Sequence, residues 1–315
     1  MSIHSVKREC ANLAWDNSIP PALHVKSGDE ITFDCADASN GQLTADSTVE
    51  TLEKLTSLAG FNPVNGPVFV DGAQPGDTLQ VDVLHIENPE WGWTGLFPGF
   101  GLLADEFPEP ALKIWKLEQE GFAWFDEKKG IKVPLRPFAG EMGVAQKKKG
   151  AFSVVPPYHT GGNIDTKHIT VGSTLFLPVE VEGALFSIGD GHAAQGDGEV
   201  CGSAIETSMK VTVRLSVRKD KPYTKTPHFS TATADTPSGE YYCTTGIDSD
   251  VREAMRSAVR NMIDFLVAEY GLDRVGAYIL CSVAGDLRMH EVVDMPNYVI
   301  GMMIPKSVLG PSNEA

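Results

Sequence analysis

One pattern constrains this chain more than any other: a turn glycine and a short polar residue, followed by a run in which apolar and polar side chains alternate. It occurs as Ser27-Gly28-Asp29-Glu30-Ile31-Thr32-Phe33, as Pro75-Gly76-Asp77-Thr78-Leu79-Gln80-Val81-Asp82-Val83 and as Val171-Gly172-Ser173-Thr174-Leu175-Phe176-Leu177. The glycine adopts a positive φ without steric cost, and the period of two puts every second side chain on one face. Short strands between such turns build a sandwich or a barrel. Most of the first 220 residues share this character, so a mainly β part, sandwich- or barrel-like, is expected over 1–220. Turn-plus-strand is a common unit, and the copies do not by themselves establish an internal repeat.

The pattern changes after Lys221. Pro222 to Thr236 mixes proline with threonine and reads as an irregular connection. Val251, Met255, Ala258, Val259, Met262, Phe265 and Leu266 then follow helical spacing, with Ser249 or Asp250 as cap and Gly271 as stop. A second helix is expected from Asp273 to about Ala284, and Tyr298 to Ile304 reads as a buried strand. The expected organisation is therefore a β-rich domain over 1–220, carrying the candidate metal site, and a smaller α/β region over 221–315 packed on it. Within the first part, Glu50 to Leu58 reads as a short helix. Trp91 to Leu103 reads as a loop that folds over something, and Lys147-Lys148-Lys149 as a solvated turn.

Charge narrows the partners. The formal net charge is −16, which repels nucleic-acid phosphates and anionic membranes. A small uncharged substrate is indifferent to that field. Met1 to Cys10 lacks the apolar core of a signal peptide, and no run of about 18 apolar residues is present to span a membrane. The 5 cysteines are odd in number, scattered and without a C-x-x-C pair. That usage fits reduced thiols, and a cytoplasmic location is expected.

The densest polar cluster is Gly189-Asp190-Gly191-His192-Ala193-Ala194-Gln195-Gly196-Asp197-Gly198-Glu199, preceded by the strand-like Ala184 to Ile188. Asp190 and His192 are two apart and share a face of an extended chain. A carboxylate with an imidazole suits zinc or another divalent first-row metal. A glycine-rich acidic turn with solvated carboxylates fits the same residues, and a calcium loop is a further alternative that lacks the EF-hand spacing. In Tyr158-His159-Thr160-Gly161-Gly162-Asn163-Ile164-Asp165, Asp165 is a candidate ligand, although Asn163 and Asp165 also serve as turn caps. His159 and His168 read as surface histidines. Glu141 lies in Phe138-Ala139-Gly140-Glu141-Met142-Gly143, where burial would raise its pKa and suit a general acid or base; an exposed strand glutamate is the alternative. Asp37 and Glu206 are weaker candidates of the same kind. Cys201 beside the acidic cluster reads as a structural thiol before a nucleophile. No G-x-S-x-G elbow, Walker loop, dinucleotide fingerprint or H-E-x-x-H is present.

These clusters resemble a known family. Gly161-Gly162-Asn163-Ile164-Asp165, Leu177-Pro178-Val179, Ser187-Ile188-Gly189-Asp190-Gly191-His192, Gln195-Gly196-Asp197-Gly198-Glu199 and Ala204-Ile205-Glu206 look like the acetamidase/formamidase family. So do Asn65-Gly66-Pro67, Gly72 to Asp77, Trp91-Gly92-Trp93-Thr94-Gly95 and Ser282-Val283-Ala284-Gly285-Asp286, which spreads the resemblance over most of the chain. The resemblance implies a mostly β fold with an α/β C-terminal part. It also implies hydrolysis of a small linear amide, formamide or acetamide, to a carboxylate and ammonia. It maps a divalent metal, zinc, onto Asp165, Asp190 and His192, with Glu141 and Glu206 as catalytic carboxylates and Glu141 as proton shuttle. Asp197 and Glu199 take supporting roles, since four carboxylates would over-neutralise one divalent ion. A homo-oligomer is expected as well. Compared with longer relatives the chain is compact from Leu103 to Arg136, which bears on pocket size. A lactamase acting on a small cyclic amide, or a non-catalytic metal-binding β protein, would use the same residues.

Overall fold

Alternation gives each long strand one apolar face to bury, and two large sheets bury those faces against each other. The computed structural model of the chain describes residues 3–55, 60–87, 90–232 and 239–309. The first sheet has nine strands, in the order Ile3–Val6, Asp29–Cys35, Met209–Arg218, Thr78–Glu87, Thr174–Pro178, His228–Ser230, Tyr241–Asp248, Tyr298–Pro305 and Asp286–Glu291. All three glycine-initiated runs lie in it. Thr78–Glu87 pairs antiparallel with Thr174–Pro178 on one side and with Met209–Arg218 on the other. Met209–Arg218 in turn pairs with Asp29–Cys35.

The second sheet has eleven strands. Its main path runs Ile131–Pro134, Phe122–Asp126, Ala111–Glu118, Trp91–Leu96, Ile205–Glu206, Phe186–Ala194, Phe138–Val144 and Gly161–Asn163. Val64–Asp71 also pairs with Phe186–Ala194. Ile31, Phe33, Val81, Leu175 and Val213 from the first sheet meet Val68, Met142, Phe186 and Ile188 from the second in one core. The rings of Phe33 and Phe186 meet edge to face across the layers, 5.9 Å apart. Each large apolar side chain buried this way contributes roughly 1.5–3 kcal/mol.

The helices Val251–Tyr270 and Arg274–Ala284 cover the far end of the nine-stranded sheet. Asp250 caps the first through the Arg252 and Glu253 amides, and Gly271 ends it in the left-handed region at φ 65°. Ala254, Ala258 and Met262 pack on Ile300, Met302 and Ile304, while Met303 joins the core between the sheets. The contact is close enough that a Cβ on Gly246 would lie 1.9 Å from the Ala254 carbonyl. The strands after residue 220 therefore extend the same sheet as those before it.

Two local expectations change. Trp91–Leu96 is a strand paired with Ala111–Glu118, because its side chains alternate against a neighbour that the glycines had masked. Only the following residues, from Phe97, form the covering loop. The short helix is Val49–Glu53, and 56–58 of the expected helix lie outside the described residues. In the expected connection 222–236, His228–Ser230 is a strand, and 233–236 lie outside the described residues. No helix among the described residues is long and apolar enough to cross a membrane.

Candidate active site

Three neighbouring strands of the second sheet deliver most of the site. Phe138–Val144 runs between Phe186–Ala194 and Gly161–Asn163, with Glu141 opposite Gly189 and Asn163. Glu141, Asp165, Asp190, His192 and Glu206 are all 3% exposed or less. That degree of burial removes the solvated-turn reading of the Gly189 cluster and the exposed-glutamate reading of Glu141. Strand alternation puts Asp190 and His192 on one side, as their spacing predicts. His192 Nε2 lies 3.1 Å from Asp190 Oδ2 and 3.1 Å from Glu206 Oε2. Asp165 Oδ1 approaches the other ring nitrogen at 3.7 Å. Asp165, Asp190, His192 and Glu206 therefore meet in one place, and Glu141 lies within electrostatic reach of Asp190 and Asp165.

Gln195 fixes the imidazole. Its Nε2 donates to the Asp165 carbonyl at 2.8 Å, which leaves its Oε1 to accept from His192 Nδ1 at 2.8 Å. Nε2 of His192 is then the nitrogen turned to the carboxylates. The backbone is strained where the acids sit. Asp165, Asp190 and Glu199 have φ of 38°, 55° and 45°, a region that costs non-glycine residues about 1–3 kcal/mol each.

Further acids complete the cluster. Glu199 and Asp294 are buried beside Asp165, and the three can present ligand atoms within 4.8 Å of one another. Asp294 is 131 residues from Asn163, whose amide donates to its Oδ2 at 2.7 Å. It comes from the turn after the edge strand Asp286–Glu291, where Glu291 Oε1 accepts from the backbone amides of Val293 and Asp294. The site therefore includes a residue from the region after 220. Sequence reasoning missed Asp294; its signal was the run His290-Glu291-Val292-Val293-Asp294, polar residues enclosing an apolar pair.

Other candidates lie elsewhere. Asp197 pairs with Lys167 at 3.3 Å, His168 at 3.4 Å and Arg288 at 3.5 Å. His168 is buried against Phe229 and His290, which corrects its reading as a surface histidine; packing under the first sheet supplies the apolar cover. His159 is exposed and pairs with Glu180. Asp37 accepts from Ser39 and from Trp93 Nε1 at 3.2 Å, so it holds an aromatic wall in place. Cys201 is half-buried in a groove outside the cavity, its thiol 3.3 Å from the Ser203 carbonyl.

The carboxylates open onto a cavity of about 50 Å³. Asp190, Glu199, Glu206 and Asp294 line one side, and Phe61, Trp93, Phe97 and Phe100 face them. Glu206 is on this wall and Glu141 is not. Phe61, Trp93 and Phe97 contact one another edge-on, with centroids 5.6–6.4 Å apart. No lysine or arginine lines the cavity among the described residues.

Electrostatics follow from that lining. Burial, reinforced by Asp190 and Asp165, pushes Glu141 well above the usual carboxylate range. Burial likewise raises Asp165, Glu199 and Asp294. Glu206 is pushed up to about 7, burial and Asp190 outweighing His192. Burial opposes a charge on His192, but Asp190 and Glu206 outweigh it and raise its pKa well above normal.

The residues fit a divalent cation. Both carboxylate oxygens of Asp165, and Oδ1 of Asp190, are buried without a hydrogen-bond donor. A Cβ on Gly140 would fall 2.4 Å from Asp165 Oδ1, 2.6 Å from Asp190 Oδ2 and 3.0 Å from His192 Cε1, so glycine keeps this cradle open. Carboxylates with one imidazole are a donor set for zinc and its first-row neighbours.

Residues 2–149 and 146–310 match the model of the Acetamidase/Formamidase family. A formamidase of Methylophilus methylotrophus is 28% identical, over 93% of this chain and 88% of the relative. The crystal structure of a predicted acetamidase/formamidase from the thermophile Thermoanaerobacter tengcongensis superposes with a TM-score of 0.88 at 31% identity, covering 98% of this chain and 97% of the other. A gamma lactamase from Delftia acidovorans shares 27% identity and a TM-score of 0.68, over 98% of this chain and 92% of its own.

Proposed function

Because the chain belongs to the acetamidase/formamidase family, we propose that it hydrolyses a small linear amide to a carboxylate and ammonia, using a divalent metal held by Asp165, Asp190 and His192. The observation that carries the reading is the small cavity with apolar aromatics on one side and buried carboxylates on the other. A single water needs about 10–15 Å³ by this measure, so about 50 Å³ admits only a few non-hydrogen atoms. Formamide and acetamide are of that size; a five-membered lactam is larger. The likeness to a gamma lactamase keeps a small cyclic amide as the second reading.

When bound, a divalent ion supplies Lewis acidity, making the amide carbonyl a better electrophile and water a better acid. The protein's own groups do the rest. Gln195 keeps His192 in the tautomer that leaves Nε2 free to bind the ion. Phe61, Trp93 and Phe97 exclude bulk water from one face. A carboxylate then takes a proton from water and returns it to the leaving nitrogen. We assign this to Glu206, which lines the cavity and lies 3.1 Å from the imidazole that would hold the ion. Glu141 is fully buried behind the lining, where burial and the neighbouring Asp190 and Asp165 raise its pKa and disfavour a further negative charge.

Ammonia release from formamide, acetamide and a small lactam, measured with and without chelator, tests the proposal. The expected result is release from the linear amides that chelation abolishes and Zn²⁺ restores. Glu206→Gln should keep the metal and lose about 10²–10⁴-fold in kcat. Unchanged turnover after verified metal removal would sink the metal role, and metal without ammonia from any amide would favour a binding protein. Three further features belong to the proposal. Zinc is supported by the imidazole in the donor set, and a reducing, cytoplasmic location by the free cysteines. A homo-oligomer, readable by sedimentation equilibrium, is supported by Val275, Tyr278, Ile279 and Val283, which line an exposed helix face beside the edge strand.

A further inference from the structure

One buried group on the cavity wall is used neither by the metal position nor by the proton transfer. Asn163 lines the cavity from the strand Gly161–Asn163 and is 2% exposed. Its Nδ2 donates to Asp294 Oδ2 at 2.7 Å, which fixes how the side-chain amide is turned. Oδ1 is the other end, and it meets no hydrogen-bond donor among the described residues. A buried carbonyl oxygen left without a donor is costly, so such a group marks a place where a ligand's donor belongs.

The neighbouring uncharged polar groups are engaged or wet. Ser203 Oγ accepts from the Gly95 amide at 3.0 Å and donates to the Gly95 carbonyl at 2.8 Å. Trp93 Nε1 donates to Asp37, which is not on the lining. Asn62, the other amide on the wall, is only half-buried and can be solvated. Among the described lining side chains, Asn163 alone presents an uncharged, buried acceptor without a donor.

The proposed substrates carry the matching group. A primary amide has two N–H donors on the nitrogen that leaves, whereas its oxygen only accepts. Resting on the amide hydrolysis already proposed, we infer that Asn163 is the residue that reads this nitrogen: its Oδ1 accepts an N–H of the scissile amide. An ester places an oxygen lone pair there, acceptor against acceptor, and a site whose buried group is left unpaired rejects such an analogue strongly. The bond also strengthens as the nitrogen gains a proton on its way to ammonia, because a charged donor makes a stronger hydrogen bond than a neutral one. Asn163 therefore favours amides over esters, and acts more in the transition state than in the bound substrate.

The test compares formamide with methyl formate, both of which release formate, in the full chain as purified and in Asn163→Leu. Leucine is close to asparagine in size but has no acceptor. It also removes the donor to Asp294, but any harm this does to the metal or to the attacking water falls on both substrates alike. The ratio of their kcat/KM values therefore isolates the N–H contact. That ratio, formamide over methyl formate, should fall by about 10–100-fold in the variant, mainly through kcat. Asn163→Val, a side chain suited to a strand, reads the same ratio should the leucine variant fail to match the circular dichroism of the parent. An unchanged ratio, with equal losses on both substrates, would overturn the role of Asn163 and leave the proposed function standing. A parent chain that releases no ammonia from formamide or acetamide would overturn both.

Discussion

At the scale of single residues, the site is organised by side chains that do not themselves carry chemistry. Gln195 shows this best. Its amide reads a backbone carbonyl at one end and His192 Nδ1 at the other, and so decides which imidazole nitrogen faces the carboxylates. Removing such an orienting partner typically costs 10–100-fold in metal affinity. Gln195→Leu is therefore expected to weaken binding of the metal ion by about that factor, measured by competition with a chelator of known affinity. An unchanged affinity would show that packing against Phe138 alone orients the ring, whose centroid lies 5.0 Å from that of His192. Gly140 acts by having no side chain, since even one methyl would occupy the space between Asp165 and Asp190.

At the scale of elements, Trp91–Leu96 and the loop after it set what enters. Trp93 is clamped by Asp37 and braced edge-on by Phe61 and Phe97. The wall is fully packed, so its atoms define the cavity. Phe97→Ala removes a ring from that wall and should shift the preference from formamide and acetamide toward longer acyl chains. The expected reading is a rise in kcat/KM for butyramide relative to acetamide of about 10-fold or more, as one or two methylenes are worth about 1–3 kcal/mol in an apolar pocket. An unaltered ratio would place the acyl group elsewhere. The strand was legible as alternation only in retrospect. Glycines at 92 and 95 break the apolar pattern, and strand Ala111–Glu118, which makes it a strand, lies some 20 residues on. The helix Val251–Tyr270, by contrast, was readable to its cap and its stop, because both signals are local.

At the scale of the whole molecule, the buried charges make stability depend on pH and on metal. Glu206 has a folded pKa of about 7 against 4.5 for an ordinary glutamate. A carboxyl raised in the folded state stabilises below 4.5, and that contribution is lost as pH rises through about 7. His228 and His290 act in the opposite direction. Burial, with Lys221 beside the first and His168 beside the second, lowers both to about 3, so stability is lost as pH falls from 6.5 toward 3. Metal-stripped protein should therefore lose melting temperature from pH 6.5 to 8, where of these three groups only Glu206 still titrates, whereas metal-loaded protein should not. Melts of both forms across that range check it; parallel curves would mean the carboxylates are compensated without a cation. The sequence by itself determined the strands that alternate, the capped helices and the identity of Asp165, Asp190, His192, Glu141 and Glu206 as candidates, because each rests on local spacing or on motifs contiguous in the chain. Only the tertiary structure decided that these acids are buried, that Asp197 instead meets Lys167, His168 and Arg288, and that Asp294 joins the cluster. Burial and convergence depend on which strands become neighbours, and residues 131 apart acquire a common environment only when the two sheets close over them.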